Sequence, residues 1–283
     1  MEPYLSIERS IIKKYRKQIW NRFIQGIRDY KLINAGDKIA VCISGGKDSM
    51  LLAACMQHLQ KYSDVPFETQ YLVMDPGYRK KNLDQIVHNA QIMQIPIQIF
   101  NSPIFEIVSK SGGSPCYLCA RMRRGYLYKE AMQHGCNKIA LGHHFNDVVE
   151  TILMSMFYGS EFKTMMPKLH STHYPGMELI RPLYMVREAD IIAWTRYNDL
   201  SFIQCACRFT EQNAQAADQI GSSKRQEIKQ LIAQLKKSNP DIDLHIFRST
   251  HSVNLATVIG YKWHEKDKII SFLDHYDDED QHH

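Results

Sequence analysis

Two features of membrane and secreted proteins are missing from this sequence. No apolar run approaches the ~20 residues that a membrane-spanning helix needs. The N-terminal stretch MEPYLSIERSIIKKYRK has no apolar region of the kind that a signal peptide carries. We therefore expect a cytoplasmic protein without a membrane partner. The 283 residues, of which 44% are hydrophobic and 23% charged, are enough to bury a core and have an ordinary globular composition.

The sequence also lacks the Walker-type phosphate-binding motif, G-x-x-x-x-G-K-[ST]. Instead, the apolar run Ile39–Ile43 breaks into a shorter segment with two glycines, SGGKDS at residues 44–49. The apolar run suits a buried strand, and the residues after the segment favour a helix. The glycines allow a tight turn, and the N–H groups at a helix start beside Lys47 form an anion site. An ordinary strand–helix turn also contains Gly and Ser, but it does not need the Lys and the Asp.

Strand-like and helical patterns alternate over most of the chain. The strand candidates are Lys38–Ile43, Thr69–Met74, Ile97–Phe100, Lys138–Leu141 and Glu178–Ile180. Apolar residues recur at helical spacing near residues 7–30, 49–62, 81–94, 117–134, 146–158 and 222–238, and another helix follows Arg187. The alternation predicts an α/β fold in which a parallel sheet is flanked by helices on both faces. The segment 241–262 is mixed and gives no assignment.

Polar segments follow three of the predicted strands. They are residues 44–49, Asp75-Pro76-Gly77 and Gly142-His143-His144. Because ligands of open parallel sheets bind beyond the carboxyl ends of the strands, we expect the three segments to meet at one edge of the sheet. For the two histidines, packing and helix capping explain the sequence as well as a chemical role does.

Charge is distributed unevenly along the chain. The formal net charge is +5, and the tail from Asp274 to His283 holds five acidic residues, which leaves +10 for the rest. Basic groups occur at residues 13–14, 79–81, 121–124 and 224–225. Such clusters suit a polyanionic partner such as a nucleic acid, although scattered solvated charge would give the same pattern.

The seven cysteines fall into two groups. Three stand singly in apolar or helical contexts and are expected to be buried small hydrophobes: Cys42, Cys55 and Cys136. The other four form a C-x-x-C and a C-x-C pair: Cys116 with Cys119, and Cys205 with Cys207. In a cytosolic chain, close pairs indicate metal or redox chemistry rather than disulfides. The spacing leaves a zinc site and an iron–sulfur cluster equally open.

The segment 44–49 resembles the PP-loop of the ATP pyrophosphatase superfamily, S-G-G-x-D-S. The resemblance implies a Rossmann-like domain of the adenine nucleotide α-hydrolase type. Such a domain holds the pyrophosphate end of ATP and releases AMP and pyrophosphate. The nucleotide-binding residues that it implies, called the PP-loop below, are Ser44, Gly45, Gly46, Lys47, Asp48 and Ser49.

Five stretches together resemble TtcA-type enzymes, which make 2-thiocytidine in tRNA. They are VCISGGKDS, CYLCARMRRGYLY, IALGHH, MFYGSEFKTMMPKL and IRPLYMVREADI. The similarity runs from about Tyr30 to Cys207. It implies an ATP-dependent tRNA sulfurtransferase that adenylates the C2 oxygen of a cytidine. Sulfur from a donor such as a cysteine desulfurase or sulfide then replaces the AMP.

The same resemblance implies a [4Fe-4S] cluster held by three cysteines. Cys116 and Cys119 match two of the ligands. The third ligand of the family lies in a C-x-x-C segment, which is shortened here to C-x-C. We expect Cys207 to be the third ligand, with Cys205 as the alternative.

The resemblance also implies roles for polar residues around the nucleotide. Asp48 and Asp147 are the expected catalytic residues, acting on Mg²⁺ and on the nucleotide. Relatives carry G-H-H-x-D-D after the strand, whereas Asn146 stands here in the first acidic place and leaves one carboxylate instead of two. Four basic residues are expected to contact tRNA phosphates: Arg121, Arg123, Arg124 and Lys163.

We expect four parts in the chain. They are an N-terminal helical segment (1–30), a PP-loop ATP-binding domain with the cysteine site (31–210), a helical C-terminal extension (211–273) and a disordered acidic tail (274–283). The expected partners are tRNA and a sulfur donor, and a homodimer stays open. An alternative function is that of a PP-loop ligase or amidating enzyme with a structural zinc and a small-molecule substrate.

Overall fold

The structure is a computed structural model, and it describes residues 2–105, 107, 115–203, 224–262 and 268–276. The chain divides into two compact units, Met1–Gln230 and Leu231–His283. The first unit contains the sheet and the PP-loop, and the second contains a helix and a small hairpin. In the described part of the chain, no helix combines the length and the apolar character that a membrane span requires.

The sheet of the first unit has the strand order β3-β2-β1-β4-β6-β5. Its strands are β1 Lys38–Ile43, β2 Glu68–Asp75, β3 Ile97–Asn101, β4 Lys138–Ala140, β5 Lys168–His170 and β6 Glu178–Ile180. All neighbours run parallel except β5, which pairs antiparallel with β6. The predicted parallel sheet is confirmed, and each predicted strand is found to within one residue at either end. The edge strand β5 was not predicted, because its side chains are half-buried or exposed and form no apolar run.

Helices cover the regions that apolar spacing predicted. Their bounds are α1 Pro3–Arg9, α2 Asn21–Asp29, α3 Lys47–Tyr62, α4 Lys80–Ile92, α5 Pro115–Gln133, α6 Phe145–Gly159, α7 Glu188–Tyr197, α8 Lys224–Leu235 and α9 Ile242–Ser249. Between α1 and α2 the chain is wound as π-helix over Ser10–Lys14 and Arg16–Trp20. The second unit adds the antiparallel hairpin β7 Gly260–Lys262 and β8 Ile269–Ser271, with 3₁₀ turns at Leu255–Thr257 and Phe272–Asp274. Residues 277–283 of the acidic tail lie outside the described residues.

The helix α3 is fixed in place by burial of its first three turns. Met50, Leu51, Leu52 and Met56 are fully buried, as are Ile39 and Val41 of β1. This helix packs on β1 and β2 and also contacts α7, so apolar side chains are needed on more than one of its faces. Full burial of such a side chain contributes about 1.5–3 kcal/mol. The PP-loop is therefore a short connection between two elements that are both anchored in the core.

A buried charge holds the opposite, amino-terminal edge of the sheet together. Lys138, at the start of β4, is 3% exposed. Its Nζ lies 2.8 Å from Asp37 Oδ2 and 3.0 Å from Glu178 Oε2, and it donates to the carbonyl of Leu32 at 2.9 Å. Burial acts to raise the pKa of Asp37, but hydrogen bonds from Lys138 and from the backbone N–H of Asn34 outweigh it and lower that pKa. This cluster is structural, since it lies at the edge of the sheet away from the PP-loop.

We expect Lys138→Ala to lower the free energy of unfolding by about 3–5 kcal/mol, because it leaves two carboxylates near the sheet without their buried cation. Urea denaturation followed by circular dichroism measures the loss. The exposed Lys81 on α4 provides the control, and Lys81→Ala should change stability by less than about 0.5 kcal/mol. Equal stability of the two variants would contradict the structural role of Lys138.

Candidate active site

A cavity of about 490 Å³ lies at the carboxyl edge of the sheet. The PP-loop contributes Ser44, Asp48 and Ser49 to its lining, Tyr78 comes from the connection after β2, and Gly142 comes from the connection after β4. Two of the three polar segments that follow predicted strands therefore line one cavity, whereas the third, Asp75-Pro76-Gly77, is represented there only by its neighbours Met74 and Tyr78. The side chain of Asp75 stays at the end of its own strand, where Oδ1 accepts the N–H groups of the next turn.

The PP-loop presents backbone N–H groups rather than side-chain caps. Gly45 has a φ of +85°, and a Cβ there would come within 2.6 Å of side-chain atoms of Ile86 and Ile203. Gly46 is the N-cap residue of α3. In the described chain, no side chain accepts a hydrogen bond from the N–H groups of the first turn as a cap. Ser49 closes the turn, since its Oγ accepts the N–H of Ser44 and donates to the carbonyl of Gly46. The first N–H groups of α3 are therefore free to bind an anion.

Gly142 brings the second segment against the first turn of α3. A Cβ at this position would lie 3.0 Å from the backbone N of Ser49 and 3.1 Å from the backbone C of Asp48. Backbone atoms at the start of a packed helix do not move aside easily, so any larger residue would displace the PP-loop. The glycine thus sets how closely the strand-end motif approaches the loop.

Lys47 is held between two carboxylates. Its Nζ lies 3.1 Å from Asp48 Oδ1 and 3.1 Å from Glu188 Oε1. Burial acts to lower the pKa of Lys47, but these two neighbours outweigh it and raise the pKa, so the side chain is a cation. Lys47 donates hydrogen bonds to Asp48 Oδ2 and to Glu188 Oε1, and the buried Oδ1 of Asp48 has no hydrogen-bond partner among the described residues. A buried carboxylate oxygen of this kind is suited to accept a cation such as Mg²⁺.

Asp147 is fixed at the start of α6 by a capping box. The backbone N–H of His144 donates to Asp147 Oδ2 at 3.0 Å, and His144 Nδ1 accepts the N–H of Asp147. The other oxygen, Oδ1, receives a hydrogen bond from Arg225 at 3.0 Å. Burial acts to raise the pKa of Asp147, but His144 outweighs it, so the pKa is lowered and the carboxylate is ionised at neutral pH. The capping role weighed for His144 is confirmed.

Asn146 stands in the place where the resemblance implied an acidic residue, and its side chain has a positioning contact. Glu188 is the first residue of α7, and its backbone N–H donates to Asn146 Oδ1 at 3.0 Å. This contact needs an acceptor rather than a charge, so an amide serves it. The second acidic group beside Lys47 is Glu188, which comes from a different helix.

Three arginines give the cavity an excess of positive charge. Arg123 and Arg124 of α5 and the buried Arg181 line it, and among the described residues none of them has a carboxylate within 4.0 Å. Arg181 Nε donates to Nδ1 of His143, and its guanidinium also contacts the carbonyl of Met166. Burial lowers the pKa of Arg181 to about 10, and burial together with Arg181 lowers the pKa of His143 to about 4, so this imidazole is neutral. Because these arginines have no carboxylate partner in the described chain, the cavity is suited to bind an anionic ligand.

The four residues that were predicted to bind tRNA differ in their positions relative to the cavity. Nε of Arg123 is buried and lacks a hydrogen-bond partner in the part of the chain that the structure describes. Lys163 is exposed, pairs with Glu161 and does not line the cavity. The side chain of Arg121 lies outside the described residues. The cavity thus brings together two of the four predicted basic residues, Arg123 and Arg124.

The cysteine pair Cys116 and Cys119 lies at the start of α5. The two positions are about one turn apart, and Arg123 follows four residues later on the same helix, about 6 Å along its axis. The side chains of the pair, and all of Cys205 and Cys207, lie outside the described residues. Elsewhere in the described chain, no group of three or more His, Cys, Asp or Glu side chains is placed to hold a metal ion together. The helix that lines the cavity therefore begins with the predicted ligands.

The three single cysteines are buried free thiols, as predicted: Cys42, Cys55 and Cys136. Burial raises the pKa of each, that of Cys136 to about 11. Thiols with raised pKa values are poor nucleophiles and poor metal ligands. These cysteines are therefore packing residues.

Sequence reasoning missed several charged residues of the site. They are Glu150, Arg181, Glu188, Arg225 and Lys229. Arg181 and Glu188 stand within the stretch IRPLYMVREADI, which carried the resemblance but was given no role. Arg225 belongs to a basic pair, whereas Glu150 and Lys229 had no signal in the sequence. Burial raises the pKa of Glu150 to about 7, although Lys229 and Arg225 lie next to it.

Comparison with known proteins gives the family. The family model described as a PP-loop domain matches residues 3–211. A tRNA-cytidine(32) 2-sulfurtransferase of Geobacter metallireducens is 33% identical over 244 residues, which cover 85% of this chain and 91% of that protein. Proteins of the same name from Coxiella burnetii and Alcanivorax borkumensis are 31% and 34% identical, covering 88% and 87% of this chain and 95% and 84% of theirs.

A solved structure supports the fold. The U34-tRNA thiolase NcsA from Methanococcus maripaludis, determined with its [4Fe-4S] cluster, has a TM-score of 0.63 and 20% identity, covering 86% of this chain and 83% of that one. A mostly parallel sheet whose first strand is followed by SGGKDS defines a PP-loop nucleotide-binding protein. The chain belongs to the PP-loop domain family and, within it, to the group of the tRNA-cytidine(32) 2-sulfurtransferases. The resemblance to TtcA-type enzymes is confirmed.

We expect Gly142→Ala to weaken binding of an ATP analogue by about 5- to 100-fold, because overpacking against backbone costs about 1–3 kcal/mol. Isothermal titration calorimetry with Mg²⁺ and a non-hydrolysable analogue measures the change. Gly159, at the end of α6, is the matched control, since a Cβ there meets nothing within 4 Å. If Gly142→Ala bound the analogue as tightly as Gly159→Ala, the contact between the strand-end motif and the PP-loop would not matter for nucleotide binding.

Proposed function

We propose that this protein is an ATP-dependent tRNA-cytidine sulfurtransferase that forms 2-thiocytidine. The observation that carries the proposal is the shared cavity, in which an uncapped helix start faces arginines that have no carboxylate partner among the described residues. The first feature suits the phosphates of ATP, and the second suits a second polyanion, the tRNA. The target position is cytidine 32, since the relatives carry that position in their names.

The reaction has two displacements. The C2 oxygen of cytidine attacks the α-phosphorus of ATP, the bond to pyrophosphate breaks, and AMP becomes attached to the base. Sulfur at the oxidation level of sulfide then attacks C2, and the C–O bond breaks with AMP as the leaving group. Adenylation is needed because the carbonyl oxygen of a base is otherwise a poor leaving group. The sulfur comes from sulfide, or from the persulfide of a cysteine desulfurase after a thiol reductant has supplied the two electrons that bring it to the sulfide level.

The PP-loop binds the phosphates in this proposal. Lys47 and the first N–H groups of α3 stabilise the charge that moves onto pyrophosphate. Lys47 exchanges its carboxylate partners for phosphate oxygens, and Asp48, with one oxygen that lacks a hydrogen-bond partner in the described structure, holds Mg²⁺. Asp147 orients the nucleotide or assists Mg²⁺ from the start of α6. The apolar residues Leu127, Leu141 and Met165 in the same cavity suit a nucleobase.

The basic residues hold the tRNA beside the nucleotide. Arg123 and Arg124 bind backbone phosphates at the cavity, Lys163 extends this contact outside it, and Arg121 is a further phosphate ligand. Arg123 carries a buried Nε without a partner in the described part of the molecule, and a phosphate oxygen satisfies such a donor. The protein acts in the cytoplasm, and a homodimer is compatible with this arrangement.

Cys116, Cys119 and Cys207 hold a [4Fe-4S] cluster in this proposal, with Cys205 as the alternative third ligand. The position of the pair at the start of α5 fits, because the same helix lines the cavity one turn later. When bound, a cluster with three protein ligands supplies one iron that can carry the sulfur. A ligase with a structural zinc is not favoured, since the relatives matched over most of both chains are sulfurtransferases.

We expect Lys47→Ala and Asp48→Ala to keep the fold and to lose about 10²–10³-fold in ATP turnover, because each removes a preorganised charge beside the phosphates. The measurement is pyrophosphate release in the presence of tRNA, with circular dichroism as the test of folding. Turnover close to that of the wild type in both variants would refute the assignment of the nucleotide loop.

We expect Cys116→Ser, Cys119→Ser and Cys207→Ser to lose the cluster, because a hydroxyl is a much poorer iron ligand than a thiolate. The matched controls are the buried cysteines, and Cys42→Ser, Cys55→Ser and Cys136→Ser should keep it. Iron and acid-labile sulfide after anaerobic reconstitution are the measurements, with the visible absorption band alongside. Equal iron in all variants would refute the ligand set.

One further variant, Cys205→Ser, decides the third ligand when it is compared with Cys207→Ser. Cys205→Ser should keep the iron, because only three thiolates bind and Arg208 beside Cys207 favours its thiolate. Cluster loss in Cys205→Ser alone would exchange the two assignments. Loss in neither would place the third ligand elsewhere.

A further inference from the structure

Two basic side chains of the helix α8 contact carboxylates of the candidate active site. Arg225 and Lys229 are four residues apart and therefore lie on the same face of this helix. Arg225 Nη1 lies 3.0 Å from Asp147 Oδ1, and Lys229 Nζ lies 3.4 Å from Glu188 Oε2. Both cations belong to the first unit, as do their partners. The helix α8, which lies outside the five stretches that carried the resemblance, thus contacts carboxylates around the PP-loop.

Arg225 completes the set of bonds that fixes Asp147. The backbone N–H of His144 holds Oδ2 at 3.0 Å, and Arg225 donates to Oδ1 at 3.0 Å. Each oxygen of the carboxylate therefore has its own donor on a different element. Hydrogen bonds in which at least one partner is ionised are the strong ones, and two of them in fixed directions leave the carboxylate little freedom to rotate. Without Arg225, Asp147 would keep among the described residues only the capping bonds to His144.

A simpler role for Arg225 is to compensate the charge of Glu150, which is 2% exposed. Glu150 lies between the two cations, with Oε2 3.3 Å from Arg225 Nη1 and Oε1 3.6 Å from Lys229 Nζ. However, Oε2 receives no hydrogen bond from any described residue, whereas Oδ1 of Asp147 does. The directed contact of Arg225 is thus with Asp147. Glu150 serves as the buried anchor that keeps the guanidinium in reach of it.

We propose that Arg225 is a positioning residue for Asp147, which it holds in the orientation that binds the magnesium complex of ATP. The proposal rests on the function proposed above only in that Asp147 acts on the nucleotide. It does not require that tRNA be the second substrate. Arg225 itself touches Asp147 and Glu150, and its effect on the nucleotide passes through Asp147.

The test compares Arg225→Gln with Lys224→Gln. Lys224 precedes Arg225 on the helix, and its Nζ lies over the ring of Tyr158 at 4.8 Å, away from the carboxylates of the site. We expect Arg225→Gln to bind a non-hydrolysable ATP analogue with Mg²⁺ about 10- to 100-fold more weakly, because one charge-assisted hydrogen bond is lost. Lys224→Gln should bind it as the wild type does, and Arg225→Lys should restore part of the affinity. Calorimetry measures all four proteins without tRNA, and thermal unfolding reports their stability.

The double variant Glu150→Gln with Arg225→Gln separates positioning from charge compensation. Removing the buried carboxylate should restore stability, whereas affinity for the analogue should stay as weak as in Arg225→Gln alone. Recovered affinity in the double variant, or unchanged affinity in Arg225→Gln, would overturn the proposal. A wild-type protein that binds the analogue but releases no pyrophosphate with tRNA would count against the proposed function. The role of Arg225 would still be decided by the affinities of its variants for the analogue.

Discussion

The first turn of α3 has backbone N–H groups without a side-chain cap in the described chain, and the rest of the site is arranged around this concentration of positive charge. Helix and strand on either side of the PP-loop are anchored in the core, with Met50, Leu51 and Leu52 fully buried. The loop therefore cannot relax to satisfy its N–H groups internally. An anion does so instead, which is why the fold specifies a phosphate site.

Opposite charges balance this site before the nucleotide arrives. Lys47 is shared by Asp48 and Glu188, and Asp147 is held by Arg225. In the proposed function, the phosphates of ATP compete with Asp48 and Glu188 for Lys47, whereas Arg225 keeps its contact with Asp147. Because the ion pairs are partly buried, the arrangement keeps each group charged and in place for its ligand. Arg123, Arg124 and Arg181 line the same cavity and form no ion pair with a carboxylate of the described chain. They therefore stay available for a second anion.

The sequence was informative wherever a local pattern determined the outcome. The apolar run Ile39–Ile43 and the glycines after it sufficed to predict a strand and the start of a helix. Glu188 could not be predicted in this way, because it meets Lys47 only through tertiary packing across 141 positions. Arg225 meets Asp147 across 78 positions and gave no more than a basic pair in the sequence. The three-residue edge strand β5 was missed because it has no apolar alternation.

The central claim is that the PP-loop of this protein activates cytidine for sulfur insertion in tRNA. Mass spectrometry of nucleosides from tRNA tests it most directly, in a strain that lacks the gene and is complemented with the wild type or with Lys47→Ala. The account predicts that 2-thiocytidine disappears on deletion, returns with the wild type and stays absent with the variant. An unchanged amount of 2-thiocytidine in the deletion strain would contradict it.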